Sequence, residues 1–324
     1  MELDSSAIDE PYKFLKIVPN SDGSVTRFEQ FPRLPPTPEL TSESGPEKQL
    51  ALSKDITLNS ENKTFIRLYR PIDNTRKLPV IIDFHAGGFV ILSATSSPFH
   101  ETWTRASAFA PALVITVEYR LAPESRLPAP YDDAMEAIMW VRDQAREIGG
   151  CDPWMKELAD YSNVHIMGTS AGGNIVYHAG LRVLDADISP LQIKGLIFNQ
   201  PFFSGVERTE SEENLSRNPV LPLSVIDLLW NLSLPPGCDR DHEYCNPLNG
   251  GNNAKMEKLP RCLVRGFELD PLVDRIKEFA KMLDAHGVKV VAKIEAGGCH
   301  GAEIIDQGKL QELFLQIKDF VYSS

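Results

Sequence analysis

Ser170 lies in the run Ile166-Met167-Gly168-Thr169-Ser170-Ala171-Gly172-Gly173-Asn174, the clearest sign of chemistry in this chain. The apolar stretch from Val164 to Met167 stops at Gly168, small residues flank the serine, and the following Asn174-Ile175-Val176-Tyr177-His178 suits a helix. Such a G-x-S-x-G segment is a nucleophile elbow, in which a strand turns sharply into a helix and presents a serine hydroxyl at the tip. Bulky side chains at positions 168 or 172 would clash inside so tight a turn. The pentapeptide alone is a weak signal, because Gly- and Ser-rich turns arise by chance. A free hydroxyl is also a poor nucleophile and needs a base beside it.

Two further segments supply what is missing. Val80-Ile81-Ile82-Asp83-Phe84-His85-Ala86-Gly87-Gly88-Phe89 is an apolar strand running into a glycine turn. Two consecutive glycines leave backbone N–H groups sterically bare, as an oxyanion hole requires. Near the C-terminus, residues 288–294 read as a strand followed by Gly297-Gly298-Cys299-His300-Gly301. Before it, residues 262–267 form another strand, leading into Glu268-Leu269-Asp270-Pro271-Leu272-Val273-Asp274. An acid and a histidine thus follow consecutive strands in the order Ser, Asp, His, the chain order of α/β-hydrolases. His300 is the candidate base and Asp270 the candidate partner for the other imidazole N–H. Asp274 is the rival acid, although its place four residues on suits the start of the next helix. His85 reads as scaffold for the glycine loop, Arg120 and Glu124 as a charged brace for that loop, and Cys299 as a small packing residue.

With these segments in place, the chain resembles the plant carboxylesterases of the hormone-sensitive-lipase group. The resemblance rests on the H-x-G-G-F segment, Tyr119-Arg120-Leu121-Ala122-Pro123-Glu124, the G-x-S-A-G-G-N elbow and the D-P-L-x-D segment, and extends to Arg240-Asp241-His242-Glu243-Tyr244-Cys245-Asn246-Pro247. It covers nearly the whole chain. It implies a nucleophile at Ser170, an acid at Asp270, a base at His300, and oxyanion donors at the N–H groups of Gly87, Gly88 and Ala171. Four positions depart from the family pattern: Ala86 replaces the first of three glycines, Thr169 an acid, Ser125 a common histidine, and Cys299 a frequent aromatic. Ala86, Thr169 and Cys299, with Phe89 and Phe202, are the candidate pocket residues.

The formal net charge of −12 and pI near 5.1 argue against nucleic acid, which needs basic patches. Five cysteines, Cys151, Cys238, Cys245, Cys262 and Cys299, form no CxxC pair and suit free thiols in a reducing compartment. No secretory signal and no membrane-length apolar stretch is visible, so a cytoplasmic location is expected, with the sequons at Asn62, Asn214 and Asn231 unused.

A series of strands over residues 65–69, 79–84, 113–119, 164–168, 194–198, 262–267 and 288–294 alternates with helical patterns over 131–148, 274–286 and 310–322. This predicts an α/β-hydrolase fold: a mostly parallel central sheet flanked by helices, in a single domain over residues 1–324. Residues 1–50 contain a Pro- and Ser-rich linker (Pro35, Pro36, Pro38 and residues 42–46) after the apolar run 12–18. By the resemblance, this leader forms part of a cap. About sixty residues separate the strands at 198 and 262, more than the dozen or so a crossover needs. Residues 202–235 are the expected inserted cap, with a helix at 221–232. The expected activity is hydrolysis of small, acetyl-type esters of plant secondary metabolites through an acyl-enzyme, without metal or cofactor. Some relatives in plant secondary metabolism run dehydration or cyclisation with the same residues, and the gibberellin receptors resemble the family while lacking the histidine present here at position 300.

Overall fold

The computed structural model describes residues 7–40, 49–72, 76–251 and 253–323. The strands are β1 Ile17–Pro19, β2 Val25–Arg27, β3 Ala51–Asn59, β4 Thr64–Pro71, β5 Leu78–Phe84, β6 Leu113–Glu118, β7 Ala159–Thr169, β8 Ile193–Asn199, β9 Arg261–Phe267 and β10 Val290–Glu295. The helices are α1 Pro11–Phe14, α2 Ser97–Phe109, α3 Ala129–Ala145, α4 Pro153–Leu158, α5 Ala171–Val183, α6 Glu210–Asn214, α7 Leu223–Ser233, α8 Asn253–Met256, α9 Val273–Ala285, α10 Ala302–Ile305 and α11 Gln307–Tyr322.

Eight strands form one sheet in the order β10-β9-β8-β7-β5-β6-β4-β3. The pairings from β10 to β6 are parallel, whereas β4 runs antiparallel to both β6 and β3. Alternating side chains divide between two helical layers, because successive strand residues point to opposite faces. Val80 and Ile82, Ile166, and Leu196 with Phe198 join the core under α3, α5 and α9. Ile81, Met167, Ile197 and Leu263 instead meet Trp103 of α2 and Leu313, Phe314, Ile317 and Phe320 of α11. Burial on both faces explains why the central strands read as continuous apolar runs rather than alternating ones.

The strand series predicted from sequence is present, with the small β1-β2 pair and, in the main sheet, β3 in addition. That strand lies at the sheet edge, and Lys54, Asp55 and Asn59 interrupt its apolar pattern. Helix α2 was also not legible, since Ser, Thr, His and aromatic residues dilute its helical signal. Helix α3 begins two residues before the predicted start because Pro130 is tolerated in a first turn. Helix α11 begins at Gln307, where the Asp306 side chain accepts from the N–H groups of Gly308 and Lys309.

The N-terminal segment packs onto the body. Leu15, Ile17 and Val25 are buried in the main core. Arg27 donates to the carbonyl oxygens of Val90 and Ala122, each at 2.6 Å, and pairs with Glu124. Ser224 of α7 donates to the Ile8 carbonyl at 2.7 Å. Arg120 and Glu124 therefore do not form a common brace: Arg120 forks onto buried Asp133 of α3, at 2.6 and 2.9 Å. Residues 42–46 of the expected linker lie outside the described residues. Among the described residues, no helix is long and apolar enough to cross a membrane.

Candidate active site

Strand β7 passes directly into α5 through Ser170, whose backbone is held at φ 56° and ψ −117°. Left-handed φ is costly for a non-glycine residue, about 1–3 kcal/mol, and persists only where the surroundings enforce it. Here the Ser170 N–H donates to the Asn199 carbonyl and its own carbonyl accepts from the Phe202 N–H, each at 2.9 Å. A β-carbon at Gly172 would stand 1.8 Å from the Phe84 carbonyl oxygen, and one at Gly168 2.2 Å from the Gly172 carbonyl. The glycines of the motif are thus required by backbone approach, not by turn conformation alone.

Ser170, His300 and Asp270 come together at the C-terminal end of the sheet. His300 Nε2 lies 2.9 Å from Ser170 Oγ, and His300 Nδ1 lies 2.8 Å from Asp270 Oδ2. Asp270 is wholly buried, and its Oδ1 accepts from the Leu272 N–H at 2.9 Å. Asp274 faces elsewhere. It lies in the first turn of α9 but caps nothing there; its Oδ2 accepts from the Ser211 N–H at 2.9 Å and so holds α6. Geometry therefore separates two carboxylates that the sequence ranked only by position.

The glycine turn lies beside the elbow. Gly87 and Gly88 have φ of 125° and 58°, and the Gly87 carbonyl accepts from the N–H groups of Val90 and Ile91. Among the described residues, the N–H groups of Gly87, Gly88 and Ala171 have no hydrogen-bond partner. The Ala171 N–H opens α5, where the helix dipole favours negative charge. His85 is scaffold: its ring stacks on Tyr119 at 4.1 Å and its Nδ1 donates to the Ala86 carbonyl at 2.7 Å. Tyr119 in turn donates to the His85 carbonyl at 2.8 Å. Burial depresses the His85 pKa, so its ring stays neutral.

Above these groups lies a cavity of about 510 Å³, within the range of small-molecule sites. Its wall is mostly apolar and includes Phe14 and Leu15 of the N-terminal segment, Phe202, and Val225 and Leu229 of α7. Of the candidate pocket residues, Ala86, Thr169 and Phe202 line it, whereas Phe89 and Cys299 do not. Phe89 is completely buried and packs against the stacked pair Phe202 and Trp230, because its backbone at φ 64° turns the side chain into the core. Burial pushes the Cys299 thiol up, away from thiolate chemistry, in keeping with a packing role.

Three polar residues beside the site had no signal in the sequence. Gln200 follows β8, Arg265 interrupts the apolar run of β9, and Glu303 follows the histidine loop, each without a motif to mark it. They meet only because β8, β9 and the loop after β10 are adjacent in the sheet.

Comparison with known proteins agrees with this architecture. A family model described as an alpha/beta hydrolase fold matches residues 81–304. The chain is 47% identical to a probable carboxylesterase 8 of Arabidopsis thaliana over 97% of this chain and 94% of that protein. It is 42% identical to a 3-O-acetylpapaveroxine carboxylesterase of Papaver somniferum over 96% of this chain and 97% of that protein. Among solved structures, an esterase of Pyrobaculum calidifontis superposes with a TM-score of 0.69 at 27% identity, over 83% of this chain and 84% of that one. The chain belongs to the α/β-hydrolase fold family, as one of its serine carboxylesterases.

Proposed function

We propose that Ser170 is the nucleophile of this esterase, His300 its general base and acid, and Asp270 the carboxylate that orients the imidazole. The observation that carries this reading is the hydrogen-bonded sequence from Ser170 Oγ through His300 to buried Asp270, at 2.9 and 2.8 Å. As Ser170 Oγ attacks the ester carbonyl, His300 Nε2 takes its proton, and Asp270 stabilises the imidazolium. The N–H groups of Gly87, Gly88 and Ala171 hold the developing oxyanion, each contributing about 3 kcal/mol where such donors have been removed in other enzymes. His300 then protonates the leaving alcohol. A water activated by the same imidazole releases the acid from Ser170 and restores the free enzyme.

The substrate proposed is an O-acetyl or similarly small-acyl ester of an apolar plant metabolite. Support comes from the mostly apolar wall of the cavity and from the relative named for a 3-O-acetyl substrate. Residues 7–40 and 202–235 act as its cap, since both contribute to that wall. The test is pre-steady-state turnover of p-nitrophenyl acetate with intact-mass detection. A burst of p-nitrophenol matched by acetylation of Ser170 is expected; full turnover with no acyl-enzyme on that residue would overturn the assignment.

A further inference from the structure

Gln200 is completely buried and holds φ 50°, a conformation that a non-glycine residue adopts only under constraint. Both ends of its amide are used. Its Oε1 accepts from the Gly301 N–H at 2.6 Å, and its Nε2 donates to Glu303 Oε2 at 2.8 Å. Glu303 Oε1 accepts from Arg265 at 3.0 Å, and the same guanidinium nitrogen donates to Asn199 Oδ1 at 2.5 Å. Asn199 closes the arc by donating to Thr169 Oγ1 at 3.3 Å, next to the nucleophile.

We propose that Glu303 is a positioning residue for the histidine loop, acting through Gln200 on the peptide that follows His300. An ionised carboxylate only accepts hydrogen bonds. Facing Glu303, the Gln200 amide has to present Nε2, which leaves Oε1 pointing at the Gly301 N–H. A flipped amide would set Oε1 against the carboxylate and Nε2 against that N–H, losing both bonds. The direction of one buried charge thereby decides whether the loop carrying His300 is held. Arg265, 3.0 Å from Glu303 Oε1, supplies the countercharge to this buried carboxylate. The inference rests on the reading of His300 as the base.

The polarity of this chain of bonds gives a sharp test. Glu303→Gln keeps the shape but removes the directional constraint, while Gln200→Glu sets two carboxylates face to face. The double variant, Gln200→Glu with Glu303→Gln, restores the pattern in reverse. The carboxylate then at position 200 accepts from the Gly301 N–H and from the amide then at position 303, whose oxygen accepts from Arg265. With p-nitrophenyl acetate, each single variant should lose about tenfold or more in kcat with KM within about twofold, the cost of sub-ångström misplacement of a reacting group. The double variant should recover to within about threefold of wild type, a coupling expected only between groups in contact. A Glu303→Gln enzyme with kcat within about twofold of wild type would overturn the proposal, as would a folded double variant no faster than the slower single one. Should a single variant fail to fold, the double variant decides alone: recovered kcat supports the proposal, and a slow or unfolded protein overturns it. Ser170→Ala serves as control, because retained hydrolysis there would refute the triad reading instead.

Discussion

Leu229 of α7 closes directly over the α-carbon of Gly88. A β-carbon on that glycine would stand 2.5 Å from Leu229 Cδ1, so α7 seals the glycine turn proposed to present the oxyanion N–H groups. Ser233 of the same helix donates to the Gly88 carbonyl at 3.3 Å. The helix that lines the cavity and the proposed oxyanion turn are therefore one packed unit.

Gly88→Ala should therefore disturb catalysis and packing together. The new methyl meets Leu229, and φ 58° is strained for alanine. Loss of a correctly placed donor predicts a fall of about 10²–10³ in kcat for p-nitrophenyl acetate. Activity within a factor of a few of wild type would mean that the Gly88 N–H is not a donor to the oxyanion.

Ser170→Ala should abolish ester hydrolysis, by at least ~10⁴-fold, while leaving the thermal midpoint within a few degrees of wild type. Assays on p-nitrophenyl esters and on acetylated plant metabolites check this. If a metabolite were still converted while p-nitrophenyl acetate was not, elimination or cyclisation without an acyl-enzyme would be the better description.

The two candidate acids should separate widely. Asp270→Asn is expected to cost about 10⁴ in kcat, because the amide leaves the imidazole in the wrong tautomer. Asp274→Asn should cost less than about tenfold, since that side chain holds α6 and does not reach His300. Steady-state kinetics on both variants at matched thermal stability is the measurement, and a reversed order would reassign the acid.

Asp83 predicts a pH dependence of stability. It is buried on β5 with one hydrogen bond, from Trp103 Nε1 at 2.7 Å, and burial pushes its carboxyl up to about 8. An unfolded aspartate titrates near ~3.9. Between the two values the native chain holds a proton that the unfolded chain has released. Stability from this group is therefore complete below pH ~4 and declines as pH rises toward about 8. Asp83→Asn keeps an acceptor for Trp103 and should gain at least ~2 kcal/mol over wild type on going from about pH 4 to about pH 8. Urea unfolding of both proteins across that range tests it; parallel curves would show that Asp83 is ionised in the native state.

Arg27→Ala should loosen the N-terminal segment, because this one guanidinium ties it to Val90, Ala122 and Glu124. Losing these contacts, which include two backbone carbonyls, predicts about 1–3 kcal/mol of destabilisation. If residues 7–40 help to shape the substrate site, KM for a bulky ester should rise several-fold with kcat changed less. Equal KM in both proteins would separate this segment from substrate binding.

The sheet, the strand-to-helix turn at Ser170 and the candidate groups that meet there, Ser170, Asp270 and His300, were legible in the amino-acid sequence alone. Continuous apolar runs such as 80–84 and 164–167 suit strands covered on both faces, and glycines flanking Ser170 suit a strand-to-helix turn that presents it. Local patterns carry this information because periodicity and steric permission are properties of neighbouring residues. Which side chains share a place was settled only when the chain folded. Asp270 rather than Asp274 meets His300, Phe89 turns into the core and leaves the cavity wall, and Arg120 and Glu124 find separate partners. Gln200, Arg265 and Glu303 come from three segments that parallel pairing of β8, β9 and β10 brings side by side. No local pattern marks such a cluster, since its members are chosen by hydrogen-bond polarity across the sheet and not by the residues beside them in the chain.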